Sequence, residues 1–389
     1  MTTRGETLQL ATRGSDLALR QAATVRDSLS SRRLAVELVE VETTGDQIRD
    51  ELIHRLGKTG AFVRSLDEKV LDGELDAAVH SMKDMPTERP ERLVVAAVPE
   101  RAAAEDVLVT PDGRSLEELP EGATVGTSSL RRKAQLLAER DDLTVEPLRG
   151  NVDTRLAKLL APSLQQEHQE RHEAEQEHEG DAGDGDDADS DADEEEEHPY
   201  DRTVEEWFDD LTEFERRAME RDPDVEYDAI VLAKAGLHRA GLTRYVGMSD
   251  LDPDQFVPAP GQGALAVTAV DGDLALDIKD RLDDPQTRIE TTVERTILEE
   301  LGGGCVAPIG VHAQLEGGVI HTRVRVLSQD GTEEVSVGRD VPAEYHIESA
   351  QDLAAELAEQ GADDLIAEAK RDSTEADDDA STAREEDEE

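Results

Sequence analysis

Cys305 is the only cysteine among 389 residues, and it lies in Leu301-Gly-Gly-Gly-Cys-Val-Ala-Pro-Ile-Gly310. Three glycines clear side chains from around the sulfur. A single thiol cannot form an internal disulfide, and a structural zinc site would require several Cys or His ligands at short spacing. Two readings remain at this level: a displayed thiol used as an attachment point, or a small buried hydrophobe that happens to be Cys.

A second constellation follows the apolar run Asp76-Ala-Ala-Val79, in His80-Ser81-Met82-Lys83-Asp84-Met85-Pro86. Asp84 can act as a general acid/base or stabilise a developing cation, and Lys83 can keep it ionised or hold an anionic group of a substrate. The alternative is a Lys–Asp pair on a solvated turn. Polar turns also follow other apolar runs, at Thr12-Arg13-Gly14-Ser15 and at Gly126-Thr127-Ser128-Ser129-Leu130-Arg131-Arg132. Hydroxyls and free N–H groups at a helix start make an anion site, and arginines add fork-shaped donors. Ordinary Ser/Thr N-caps flanked by surface arginines would read the same way. The recurrence of the pattern at Arg149-Gly-Asn-Val-Asp-Thr-Arg155 favours a focused cationic pocket for a ligand with several carboxylates or phosphates.

That pocket would sit in a strongly acidic chain. Asp and Glu total 94 against 41 Lys and Arg, a formal charge of −53, and only eight of the basic residues are Lys. The Debye length is about 3 Å at 1 M salt and about 10 Å at 0.1 M, so concentrated salt screens the self-repulsion best; the composition points to a salty cytoplasm. Duplex nucleic acid is disfavoured as a partner, because such binding rests on basic patches. No apolar run approaches the roughly 20 residues of a membrane span, and the start lacks a signal-peptide stretch, so a soluble cytoplasmic protein is expected.

The elements that must position these residues follow from periodicity. Short apolar runs alternate with amphipathic stretches over the first 110 residues, as in a parallel sheet with crossover helices. Strands are predicted at 8–11, 35–41, 76–79 and 93–98, and helices at 16–30 and 61–71. A second α/β unit uses strands at 106–110, 123–126, 144–148 and 227–233 with a helix at 129–140. Residues 162–224 hold 27 acids and five arginines; their centre reads as disordered, with Trp207, Phe208, Leu211 and Phe214 at helical spacing. His168 and His172 are four apart, but a solvated charged face is the plainer reading than a metal site. A strand follows Pro260-Gly-Gln-Gly263. Then come a helix at 287–301, antiparallel strands at 311–315, 319–326 and 334–337, and a helix at 349–369.

Seven segments together resemble the porphobilinogen deaminase (hydroxymethylbilane synthase) family. They are Ala11-Thr-Arg-Gly-Ser-Asp-Leu-Ala-Leu-Arg-Gln-Ala22, Val79-His-Ser-Met-Lys-Asp-Met-Pro86, Gly126-Thr-Ser-Ser-Leu-Arg-Arg132, Arg149-Gly-Asn-Val-Asp-Thr-Arg155, Leu232-Ala-Lys-Ala-Gly-Leu-His-Arg239, Pro260-Gly-Gln-Gly263 and the Cys305 turn. They occur in the family's order across residues 8–370, the insertion excepted. The resemblance implies an α/β fold: two α/β domains resembling periplasmic binding proteins form a cleft, and a small third α/β domain carries a three-stranded antiparallel sheet. The implied division is 1–104 with 262–284, then 105–261 with the partly disordered insertion 162–224, then 285–370, then a disordered acidic tail at 371–389.

The same resemblance implies a cytoplasmic, monomeric transferase that condenses four porphobilinogen molecules head to tail, without a metal, and releases hydroxymethylbilane. Cys305 would carry a covalent dipyrromethane cofactor as anchor, with Asp84 catalytic. Arg13, Ser15, Ser81, Lys83, Thr127, Ser128, Ser129, Arg131, Arg132 and Gln262 would bind the cofactor, and Phe62, Arg64, Arg149, Arg155 and Arg239 the substrate. The family's mobile loop usually reads Gly-Lys-Gly-aliphatic-Phe-Val-Lys, whereas this chain has Gly57-Lys-Thr-Gly-Ala-Phe-Val-Arg64, with Lys58 offset by one. Rival classes are a two-lobed binder of anions, which leaves Cys305 unexplained, and a thiol hydrolase using His312 or His321 as base.

Overall fold

The computed structural model describes residues 6–32, 34–41, 61–181, 200–222, 224–304 and 307–372. Its first sheet contains β1 (Glu6–Thr12), β2 (Leu34–Glu40), β3 (Ala77–Ser81), β4 (Leu93–Ala97) and β10 (Leu265–Val270), in the order β2-β1-β3-β10-β4. The second contains β5 (Asp106–Thr110), β6 (Thr124–Gly126), β7 (Thr144–Glu146), β8 (Ala229–Ala233) and β9 (Gly247–Asp250), in the order β7-β6-β8-β5-β9. The two orders are equivalent. Each sheet has four strands that run one way and one antiparallel strand that arrives from the other side of a domain crossing: β10 lies antiparallel to β3 and β4, and β5 to β8 and β9. The four strands predicted within the first 110 residues run parallel to one another, and the antiparallel member, β10, comes from much later in the chain. Apolar strand pattern is the same in parallel and antiparallel strands buried on both faces, so composition cannot tell them apart.

Period-two alternation decides which helix covers which face. In the first sheet, Leu8, Leu10, Ala77 and Val79 pack with Val25 and Leu29 of α1 (Asp16–Leu29) and Ile278 of α8 (Asp273–Leu282), while Ala11 and Ala78 meet Leu66 and Val70 of α2 (Ala61–Leu71) on the opposite face. In the second, Val107 and Val109 pack on Leu156 and Leu159 of α4 (Val152–Asp181) and Leu237 of α7 (Lys234–Ala240). Leu108 turns to Leu136 of α3 (Leu130–Glu139). Each fully buried Leu or Ile contributes about 1.5–3 kcal/mol, so an aliphatic core suffices despite 2% aromatics.

The third unit places α9 (Pro285–Glu300) and α10 (His346–Glu359) on β11 (Ile309–Glu316), β12 (Val319–Leu327) and β13 (Glu334–Pro342), burying Val293, Ile297, Val311, Val324, Leu353 and Leu357 together. The helix expected at 349–369 divides: Gly361 adopts a left-handed φ of +102°, and helical residues resume over 362–372. Arg325 of β12 ties this unit to the second, donating to Glu139 at 3.1 Å and to the Gln255 carbonyl.

Two stretches of backbone cross between the sheets, and they touch. A Cβ on Gly263 would lie 2.4 Å from the Ala102 carbonyl oxygen and 2.6 Å from that of Ala103, in a backbone with φ +85°, so only glycine fits there. The flanks of the acidic insertion are helical. α4 runs to Asp181, and α5 (Val204–Asp210) and α6 (Glu213–Met219) fold back on it, each opened by a capping box, at Thr203/Glu206 and Thr212/Glu215. The second box is why Trp207 and Phe214 occupy separate helices. Residues 182–199 and 373–389, which include the rest of the disorder expected from composition, lie outside the described residues.

Candidate functional site

β3 runs buried into the site and stops at Ser81, where Met82–Asp84 form one turn of 3-10 helix. That turn is held from three sides. Met82 N–H donates to the Ala264 carbonyl at 3.1 Å. Arg295, on α9 of the third unit, caps the turn's carbonyls, donating Nη1 to Met82 and Met85 at 3.3 and 3.2 Å and Nη2 to Pro86 at 2.7 Å. Beneath it, the buried His80 ring meets Asp67 of α2 at 2.8 Å and Thr268 of β10 at 3.1 Å, while Thr268 donates to Asp67 at 2.8 Å. Asp84 is exposed at the end of this scaffold, and Lys83 is half-buried beside it.

From the second domain come Arg131 and Arg132 in the first turn of α3. Both are buried, at 4% and 5% exposure. Asp106, at the first position of β5 and fully buried, accepts from Arg131 at 2.8 Å, Arg132 at 2.7 Å and Gln262 Nε2 at 2.8 Å. Burial alone would raise this carboxyl, but the two guanidiniums win and hold it far below the usual carboxylate range. Arg131 also donates to the Val257 carbonyl, and Arg132 to that of Val231. The Nε–H of each arginine is left buried with no hydrogen-bond partner among the described residues.

The charges also show which residues lie together. Lys83 is pushed below the ordinary lysine value mainly by removal from water; Asp84 opposes the shift, and Arg132 and Arg131 add to it. Arg155 falls to about 10, first through desolvation and then through Arg132, with Asp84 opposing. Lys83, Asp84, Arg131, Arg132 and Arg155 thus form one cluster between the carboxyl end of β3 and the starts of α3 and α4. A cation lattice stripped of water is primed for an acidic ligand, because each buried positive charge gains from an added carboxylate.

The remaining expected residues distribute less tightly. Ser15 and Ser129 do serve as N-caps, accepting from Ala18 N at 3.3 Å and Arg132 N at 3.4 Å; a capping hydroxyl keeps its own proton to donate. Thr127 is buried and accepts from Ser129 N, and Ser128 donates to the Leu148 carbonyl. Ser81, Arg13 and Arg149 are half-buried. Arg155 Nε braces its own turn on the Gly150 carbonyl at 2.7 Å. Arg239 donates to the Gly263 carbonyl at 2.8 Å, and burial lowers its pKa. Gln262, only 1% exposed, bonds Ala104 O and Asp106, a place at the domain crossing. Arg64 is exposed on α2. Cys305, Lys58 and the side chain of Phe62 lie outside the described residues. The turn leading to Cys305 is described as far as Gly304: Lys370 donates to the Gly302 carbonyl at 2.7 Å, and Gly303 packs under Leu298 and Ile309.

Comparison with known proteins now bears on this geometry. A family model described as porphobilinogen deaminase, dipyromethane cofactor binding domain, matches residues 8–166 and 214–277, and one described as porphobilinogen deaminase, C-terminal domain, matches 288–361. The chain belongs to the porphobilinogen deaminase family. It is 53% identical to a probable porphobilinogen deaminase of Halobacterium salinarum, over 93% of this chain and 98% of that one. It is 39% identical to one of Methanosarcina acetivorans, covering 92% and 94%, and 35% identical to a porphobilinogen deaminase of Sulfurimonas denitrificans, covering 93% and 97%. Among solved structures, the apo ectoine-binding protein of a TRAP transporter aligns over 96% of this chain and 99% of that one, at 11% identity and a TM-score of 0.34. The family models leave 167–213 unmatched, which is the bulk of the acidic insertion.

Dipyrromethane, the family's cofactor, carries carboxylate arms and pyrrole N–H groups. The donor set fits it: two buried, unsatisfied guanidinium N–H groups, a desolvated ammonium, and one exposed carboxylate to accept from pyrrole nitrogen. Sequence reasoning missed Asp106, Arg295 and the Asp67–His80–Thr268 group. Asp106 left a trace, an acid opening a strand whose five positions are all buried. Arg295 left none, since its partners lie more than 200 residues away.

Proposed function

We propose that this chain catalyses the stepwise condensation of four porphobilinogen molecules and hydrolytic release of hydroxymethylbilane, with Asp84 as the catalytic carboxylate. The observation that carries this reading is the exposed Asp84 mounted on a fixed turn beside the desolvated cations Lys83, Arg132 and Arg155. Each porphobilinogen brings two carboxylates, which those cations offset. Bound through Cys305, dipyrromethane would supply the free pyrrole α-carbon on which growth begins.

Asp84 accepts from the substrate's pyrrole N–H and stabilises the positive charge that develops as the aminomethyl C–N bond breaks and ammonia departs. A new C–C bond then forms, and Asp84 assists removal of the α-proton from the ring. Lys83, Arg131, Arg132 and Arg155 hold the acid arms, and Arg295 fixes the turn so that the carboxylate does not retreat. Arg13, Ser15, Ser81, Thr127, Ser128, Ser129 and Gln262 complete the cofactor's surroundings in this reading, with Arg149, Arg239, Arg64 and Phe62 toward incoming substrate. The proposed domains are 1–104 with 262–284, 105–261 and 285–370, and the working state a cytoplasmic monomer.

Ammonia release and porphobilinogen consumption by holoenzyme, compared with Asp84→Asn, test the assignment. A loss of at least about 100-fold in kcat is expected for a general acid/base. An Asp84→Asn rate within a few-fold of the parent removes Asp84 from the chemistry.

A further inference from the structure

Behind the cluster, where α1 of the first domain meets α4 and the insertion helix α6, lies a cavity of about 130 Å³. It is lined by three arginines, Arg20, Arg217 and Arg221, with Asp16, Asp153 and Phe214 among its other walls. Arg221 Nε is buried with no hydrogen-bond partner among the described residues, and Arg20 is exposed on α1. Arg217 holds Glu213 only loosely, at 4.0 Å. Asp16 and Asp153 sit in the first turns of α1 and α4, where the helix dipoles already offset part of their charge. The arginines therefore dominate the cavity within a chain of charge −53.

We propose that this cavity binds the carboxylate groups of a small acidic molecule and that the insertion supplies part of the site. The space holds several water-sized groups, enough for a carboxylate arm or a small dicarboxylate. Phe214 anchors α6 here, with its ring 4.7 Å from Tyr245, so Arg217 is presented by a packed helix and Arg221 by the residues just beyond its end. Residues 151–153, on the cavity wall, lie between Arg149 and Arg155, which places the site next to the cationic cluster. Two sources share this chemistry: an acid arm of the substrate or pyrrole chain, which rests on the deaminase reading, and a free dicarboxylate, which does not.

Calorimetric titration of holoenzyme with succinate at fixed potassium chloride, against Arg20→Gln/Arg221→Gln, tests the site. The parent should show a saturable binding event that the double variant lacks. Coincident isotherms overturn the proposal. Should the double variant fail the circular dichroism check for folding, Arg20→Gln alone, on the exposed face of α1, decides in the same way. KM for porphobilinogen raised several-fold at unchanged kcat assigns the site to the acid arms. Unchanged KM with lost succinate binding assigns it to a free dicarboxylate. A parent that binds succinate but consumes no porphobilinogen sinks the deaminase reading and leaves this site standing.

Discussion

Asp106→Asn is the substitution whose consequence the geometry fixes most closely. It keeps the shape of the side chain and removes one negative charge from between two buried guanidiniums, at 2.8 and 2.7 Å, in a position with no solvent access. Breaking a buried pair by neutralising one partner costs about 3–5 kcal/mol, because the other charge stays buried. For a domain of 150–250 residues that corresponds to a fall in Tm of roughly 6–20 °C, read by circular dichroism in concentrated potassium chloride. The pH dependence has a definite sign. The folded pKa is depressed, so the stabilisation is complete above about pH 4, where unfolded aspartates are also ionised, and is lost as pH falls through the lower folded value. Asp106→Asn should therefore flatten the acid limb of the stability curve. Adding Arg131→Gln to the variant should recover part of the loss, since the two changes are coupled. A single variant within about 1 kcal/mol of the parent refutes the argument that this carboxylate neutralises the arginine pair.

Other expectations follow from the same site. Arg295→Ala should lower kcat at least tenfold with little change in KM, because it loosens the Asp84 turn without touching substrate, and Arg295→Lys should restore only part of the rate; steady-state kinetics decide. Lys83 loses its proton below the ordinary lysine value, so KM for porphobilinogen should climb as pH rises through that lowered value, and Lys83→Arg should move the climb to higher pH. Trp207→Ala removes the ring that lies 6.0 Å from His168 and 5.3 Å under Arg171; helicity of the insertion should fall while the deaminase rate stays within twofold.

What the sequence revealed, and what it concealed, divides along the range of the interactions. Local patterns placed β5 at 106–110 and α2 at 61–71 to the residue, and a run of seven motifs carried the family. The order of each sheet was not legible, because antiparallel β10 and parallel β3 have the same continuous apolar pattern. The insertion was legible in part: the helical spacing of Trp207, Phe208, Leu211 and Phe214 announced a helix, and Trp207, Ala218 and Phe214 do pack against α4 and Tyr245, but the break at Leu211 that splits it in two was not announced. The arginines were read as open donors. Arg131 and Arg132 turn most of their hydrogen bonds inward, to Asp106, Val257 and Val231, and their Nε atoms are the ones left with no partner among the described residues. That partner set is assembled from three distant stretches of chain, and no local spacing announces it.

The intact mass of the holoenzyme beside Cys305→Ser is the most direct test of the account. An excess equal to two linked porphobilinogen-derived units on the parent alone, with colour in an acidic pyrrole-detecting aldehyde reagent, is the predicted result. An unmodified Cys305 in fully active protein would contradict it.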